Sequence, residues 1–103
     1  MRKIVTIDPI AEKELDGFPK GVQKEFKSLV YILRNEGRLN LPEGKKIGNN
    51  LFEIRIRIKG VYRGLYAYIG REGIIILHFF QKKSQKTPIK NLKVARRRFN
   101  EYG

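Results

Sequence analysis

Apolar positions recur along the chain with two different periods, and the change of period locates the elements. Ile4 to Ile7 are β-branched throughout, so residues 2–7 read as a strand. Asp8-Pro9 reads as a helix start, with Asp8 as cap and Pro9 at the first helical position. The short helix that follows, Ile10 to Leu15, should end near Gly17. After Pro19, the residues Val22, Phe26, Leu29, Val30 and Leu33 fall on one helical stripe, and Gly37 should end that helix. Residues 38–50 contain Pro42, Gly44 and Gly48 with three asparagines and read as a loop carrying Lys45 and Lys46. The period then becomes two: Phe52, Ile54, Ile56 and Ile58 alternate with Glu53, Arg55, Arg57 and Lys59. Gly60 marks a tight turn into a strand from Val61 to Ile69, and Gly70 to Gly73 a second turn into a strand from Ile74 to Lys82. Thr87-Pro88 again reads as a cap followed by proline, ahead of Leu92, Ala95, Phe99 and Tyr102 at helical spacing. The order β-α-α-β-β-β-α predicts an α+β domain. Its small antiparallel sheet combines the N-terminal strand with a three-stranded meander, a helical hairpin covers one face, and a C-terminal helix completes it.

Length and composition narrow this further. The 103 residues suit a single domain, 1–103, and 41% hydrophobic residues are enough for a core. Lysine and arginine number 23 against 10 acids, a formal net charge of +13. The first fifty residues hold ten basic and seven acidic side chains, whereas the remainder hold thirteen and three. A field that strong on half of a small domain attracts a polyanion such as nucleic acid, acidic lipid or an acidic protein. No cysteine is present, which removes disulfides, thiolate zinc sites and thiol nucleophiles. The longest apolar stretch, Ile74 to Phe80, is interrupted by His78 and too short to span a bilayer. The start, MRKIVTID, lacks the apolar run of a signal peptide, so a cytoplasmic location without membrane association is expected.

Several chemistries fall away. The only histidine is His78 and the carboxylates lack ligand spacing, so neither a metal nor another cofactor is expected. Ser28 and Ser84 have no adjoining acid–histidine pair, and no glycine-rich loop joins a strand to a helix. What remains is a concentration of cations on a sheet. Arg55, Arg57 and Lys59 share the polar face of one strand, and Arg63 on the next can lie near Arg57 or Lys59 across the Gly60 turn. His78 and Phe80 share a face of the last strand, with Lys82, Lys83 and Lys86 at its end. Like charges side by side on a sheet are destabilising, which favours a functional reason for the row. The alternative is a solvated face with a few pairs, such as Glu53 with Arg55 or Arg63. His78, among apolar neighbours, reads equally as a packed residue or as the acid–base group titrating closest to neutral. Phe80 can stack on a base or belong to the core. Lys90, Lys93, Arg96, Arg97 and Arg98 make the last helix basic on one face, either a phosphate grip or a solvated surface.

The series Leu51-Phe52-Glu53-Ile54-Arg55, Tyr62-Arg63, Leu77-His78-Phe79-Phe80 and Lys82-Lys83-Ser84-Gln85-Lys86-Thr87-Pro88 resembles the RelE/ParE superfamily of toxins, nearest its HigB-like, phage-derived group. The resemblance covers nearly the whole chain. It implies a microbial-ribonuclease-like fold, cleavage of messenger RNA on the ribosome, and neutralisation by a cognate antitoxin, a helix-turn-helix protein. Arg55, Arg63, His78, Lys82, Lys83 and Lys86 are then the expected catalytic group, with Tyr102 as another source of acid–base chemistry. Arg57, Lys59, Phe80 and the five cations of the last helix are the expected RNA contacts. The superfamily also contains ParE-like toxins that bind gyrase and cleave nothing, and net charge alone would suit a plain nucleic-acid-binding module.

Overall fold

A computed structural model describes residues 2–82 and 87–102. It contains β1 (Ile4–Ile7), α1 (Pro9–Asp16), α2 (Lys20–Glu36), β2 (Gly44–Gly48), β3 (Leu51–Arg57), β4 (Val61–Ile69), β5 (Gly73–Lys82) and α3 (Ile89–Asn100). The α+β class holds. The sheet has five strands in the order β1-β5-β4-β3-β2. Two expectations are corrected here. The stretch 38–50 is not all loop: residues 44–48 pair antiparallel with β3 as an edge strand. The sheet is also mixed, because β1 runs parallel to β5 while the other pairs are antiparallel.

Local chemistry sets the helix ends. Asp8 caps α1 as expected, its carboxylate accepting from the Ile10 and Ala11 amides at 2.9 and 3.1 Å. Gly37 ends α2 in the left-handed region at φ 80°, where a side chain would be strained. The second proline-led start is different. α3 begins at Ile89 after Pro88, and Thr87, expected to cap it, sends its hydroxyl to Glu53 instead. β3 stops at Arg57, so Ile58 to Gly60 form the turn, and Ile58 is exposed rather than turned to the core.

The sheet separates two apolar layers. One contains Phe26, Leu33, Ile54, Tyr66, Ile76 and Phe79 under the α1–α2 hairpin. The other contains Leu51, Leu65, Ala67, Ile75, Leu77 and Phe80 under α3. Gly64 is required where β4 passes under Phe79, since a Cβ there would lie 2.9 Å from its ring. A bulge in β5 sets which side chains reach which layer. Leu65 pairs with His78 but Tyr66 pairs with Ile76, leaving Leu77 as the extra residue. Beyond it, His78, Phe80 and Lys82 share the face of Arg63, the face on which α3 lies.

β1 stops opposite Ile76, so the rest of β5 has no strand on that side. Side chains from two helices satisfy its edge. Glu14 of α1 accepts from the Phe79 amide at 3.1 Å, and Arg98 of α3 donates to the Leu77 carbonyl at 2.8 Å. Arg98 also donates to both Glu14 oxygens, at 3.0 and 3.1 Å, fastening α3 to α1.

Candidate active site

The alternation of β3 places Glu53, Arg55 and Arg57 on the α3 side of the sheet, and pairing brings β4 alongside. Arg63 stands directly opposite Arg55, not beside Arg57 or Lys59 as expected from the turn. Lys59 sits in the turn with φ 50°, and both Lys59 and Arg57 are exposed. Two adjacent guanidinium groups would repel each other; Glu53, 1% exposed, lies between them. Arg55 and Arg63 each donate to one of its oxygens at 3.2 Å. Thr87 donates to the same carboxylate at 2.9 Å, which ties the chain entering α3 to the floor of the site.

The Glu53–Arg55 and Glu53–Arg63 pairs are therefore both present. Arg63 is buried and charged at once: burial lowers its pKa, while Glu53 favours the cation. Arg55 is the accessible member, its side chain 24% exposed. Arg55, Arg63 and Thr87 open into a cavity of about 350 Å³ also lined by Lys45 and Lys46 of β2; Lys45 shares the face of Glu53, whereas the Lys46 ammonium lies over the Phe52 ring on the other face. In the sequence these two lysines read only as part of a loop. Their exposed, doubly charged place on a short edge strand was the available signal.

Lys82 closes the row. Its side chain is buried, and its Nζ has no hydrogen-bond partner among the described residues. Burial, followed by the charge of Arg63, holds this ammonium below the ordinary lysine range; Glu53 opposes the shift. Lys83 and Lys86, expected beside it, lie outside the described residues.

The chain matches the family model described as phage derived protein Gp49-like (DUF891) over residues 13–100. It belongs to that family. No curated protein matches the sequence. Among solved structures, a mutant of the Escherichia coli toxin RelE in the free state superposes with a TM-score of 0.73 at 16% identity, covering 95% of this chain and 98% of that one. A chain of the toxin–antitoxin complex RelBE2 from Mycobacterium tuberculosis gives 0.61 at 21% identity, with 80% and 100% covered. An isolated E. coli RelE toxin gives 0.59 at 21% identity, with 91% and 97% covered. The RelE fold anticipated from the motif series is the fold of this Gp49-like chain.

The remaining expected residues of the Gp49-like chain lie elsewhere. His78 faces α1 and α3 rather than the cavity: its Nδ1 is 2.9 Å from Glu14 and its Nε2 2.8 Å from Asn91. Phe80 stacks on the His78 ring at 5.1 Å and packs within the layer under α3. Tyr102 donates to Asp8 at 2.6 Å, next to the start of α1. That bond and burial raise the phenol to about 12. Burial would raise Asp8, but the bonds from Tyr102, Ala11 and Ile10 outweigh it and leave its carboxyl lowered. On α3, Lys90, Lys93, Arg96 and Arg97 are exposed as expected of a grip. Arg98 is not, since it is spent on Glu14 and Leu77.

Proposed function

We propose that this protein is the toxin of a toxin–antitoxin pair and that it cleaves messenger RNA internally, without a metal, on the ribosome. The observation that carries the reading is the row Arg55, Arg63 and Lys82: two guanidinium groups held rigid by one buried carboxylate, beside an amine kept below its ordinary pKa. In such a reaction the ribose 2′-oxygen attacks the adjacent phosphorus while the bond to the 5′-oxygen breaks, leaving a cyclic phosphate. Arginine stays protonated and cannot serve as the base, but it stabilises the charge gathering on the phosphoryl oxygens. Lys82, when neutral, takes the 2′-proton. Lys45, on the face of Glu53 and Arg55, supplies the proton for the departing oxygen. His78, Asn91 and Glu14 act as positioning residues that hold β5 and α3 together. Exposed cations of α3 anchor phosphates without reading sequence.

The partner reading follows from two RelE neighbours whose structures are those of toxin–antitoxin complexes. An antitoxin with acidic segments would cover the Arg55 face, and charge complementarity would speed its association. Induced expression followed by primer extension on cellular messages tests the activity. Discrete cleavage sites are the expected result. Intact messages with stalled replication would instead select a gyrase-binding toxin.

A further inference from the structure

Among the described residues Lys82 is the only buried lysine, with 5% of its surface exposed. Pairing in the sheet puts it beside the arginines. Lys82 stands opposite Val61, and Arg63 stands opposite Phe80, so Lys82 and Arg63 are diagonal neighbours on one face. Such neighbours are about 7–8 Å apart, within reach of two long side chains. The Lys82 Nζ has no hydrogen-bond partner among the described residues, and neither has the buried Arg55 Nε. Arg55, Arg63 and Lys82 also set three positive charges against the single carboxylate of Glu53. A buried donor without an acceptor is costly, and more so when it carries a charge. The cluster is therefore short of one anionic acceptor, and short of it at the amine.

An anion from solution would have to shed its hydration to reach an amine that solvent does not touch. Carbon dioxide crosses the same barrier uncharged and acquires its charge in place. We propose that Lys82 is a carbon dioxide acceptor, forming a reversible carbamate held by Arg63 and Arg55. The Nζ lone pair of the neutral amine attacks the carbon. The N–C bond forms while one C–O π bond opens onto oxygen, and the surplus proton of the amine leaves to solvent. The balance calls for no oxidant, reductant or donor enzyme. Replacing an ammonium by a carbamate changes the local charge by two, so the cluster with Glu53 becomes neutral. Acylation would remove only one charge and would need a bulky donor to reach a buried nitrogen. Only the neutral amine reacts, and burial with Arg63 alongside holds Lys82 below the ordinary lysine range, which enriches that form. The cavity of about 350 Å³ lined by Arg55 and Arg63 adjoins the cluster and gives room for the added carboxyl group. The chemistry stands on this cluster alone; its use, a reversible block on the base that takes the 2′-proton, rests on the nuclease reading above.

The test is ¹³C NMR of the full chain, labelled with ¹⁵N at its lysine Nζ atoms and equilibrated with ¹³C-bicarbonate in a sealed tube. The expected result is a new carbonyl resonance split by the attached ¹⁵N, lost in both Lys82→Met and Lys82→Gln. The N-terminal amine carries no ¹⁵N and can give only an unsplit line. Absence of a split line in the wild type would overturn the carbamate, and an unsplit line in its place would mean bicarbonate bound without a bond. A split line that survives both substitutions would overturn it too, by placing the reaction at another lysine. Single-turnover RNA cleavage is followed in the same samples, with chloride in place of bicarbonate as the control at equal pH and ionic strength. The rate should fall in proportion to the fraction of carbamate. A Lys82-dependent split line in a protein that cleaves nothing would support the carbamate and overturn the nuclease reading. Cleavage indifferent to a fully formed carbamate would overturn the block and the base role of Lys82 together.

Discussion

On the proposed nuclease reading, replacing Arg63 by alanine removes a donor to the transition state; it also strips a partner from Glu53, a carboxylate with 1% exposure. Breaking a buried pair costs about 3–5 kcal/mol, and losing one such donor costs about a hundred- to a thousandfold in rate. The alanine variant should therefore fail both in a melt and in a cleavage assay, which makes it a poor test of chemistry. Arg63→Lys separates the two: it keeps the charge beside Glu53 but loses the forked geometry. Single-turnover cleavage should fall about a hundredfold, with a thermal midpoint shift clearly smaller than that of the alanine variant. Lys82 allows a cleaner deletion, because methionine fills similar space without the charge. Lys82→Met should fold, and cleavage should drop by about a hundredfold or more. Below the lowered pKa of Lys82, the wild-type rate should climb with pH as the amine loses its proton, while the methionine variant stays flat across that range.

Elements decide where those side chains end up, and here the sequence was only partly legible. The alternation of β3 located Arg55 and Arg57 correctly because period two is visible when apolar and charged residues interleave. It failed for β5, where Ile74 to Leu77 are all apolar and conceal the bulge at Leu77. β2 escaped because its five residues include two glycines and two adjacent lysines, a composition that also suits a loop. The parallel β1–β5 pairing joins residues about seventy positions apart, which no local pattern reports. Thr87 was misread for a similar reason, since a distant carboxylate outcompetes the local cap. The Glu14–Arg98 clasp is likewise non-local, and it carries a pH signature. Burial raises the Glu14 carboxyl, but bonds from Arg98, His78 and the Phe79 amide prevail, so its folded pKa lies below 4.5. Its contribution is therefore present above that pH and is lost as pH falls through the folded value. Glu14→Gln should lower the thermal midpoint at neutral pH, and the gap from wild type should narrow on acidification below pH 4.5.

At the scale of the whole molecule, a net charge of +13 promises binding to any polyanion, so the informative quantity is its dependence on salt. For a single strand, log K should fall with log salt by about 0.7 per neutralised phosphate. Arg97→Ala, at an exposed position of α3, should reduce that slope by about one such increment. Arg98→Ala should leave the slope alone and lower the thermal midpoint, because its guanidinium fastens α3 to α1. Fluorescence anisotropy across a salt series, paired with melts, distinguishes the two arginines. The bond from Tyr102 to Asp8 reaches further. It brings the last described turn against the cap of the first helix, 94 positions away, so α3 is fastened to the start of the helical hairpin twice, at Glu14 and at Asp8. Tyr102→Phe deletes the second fastening alone: amide exchange in the last turn of α3 should quicken, while the Glu14–Arg98 clasp keeps the thermal midpoint within a few degrees of the original.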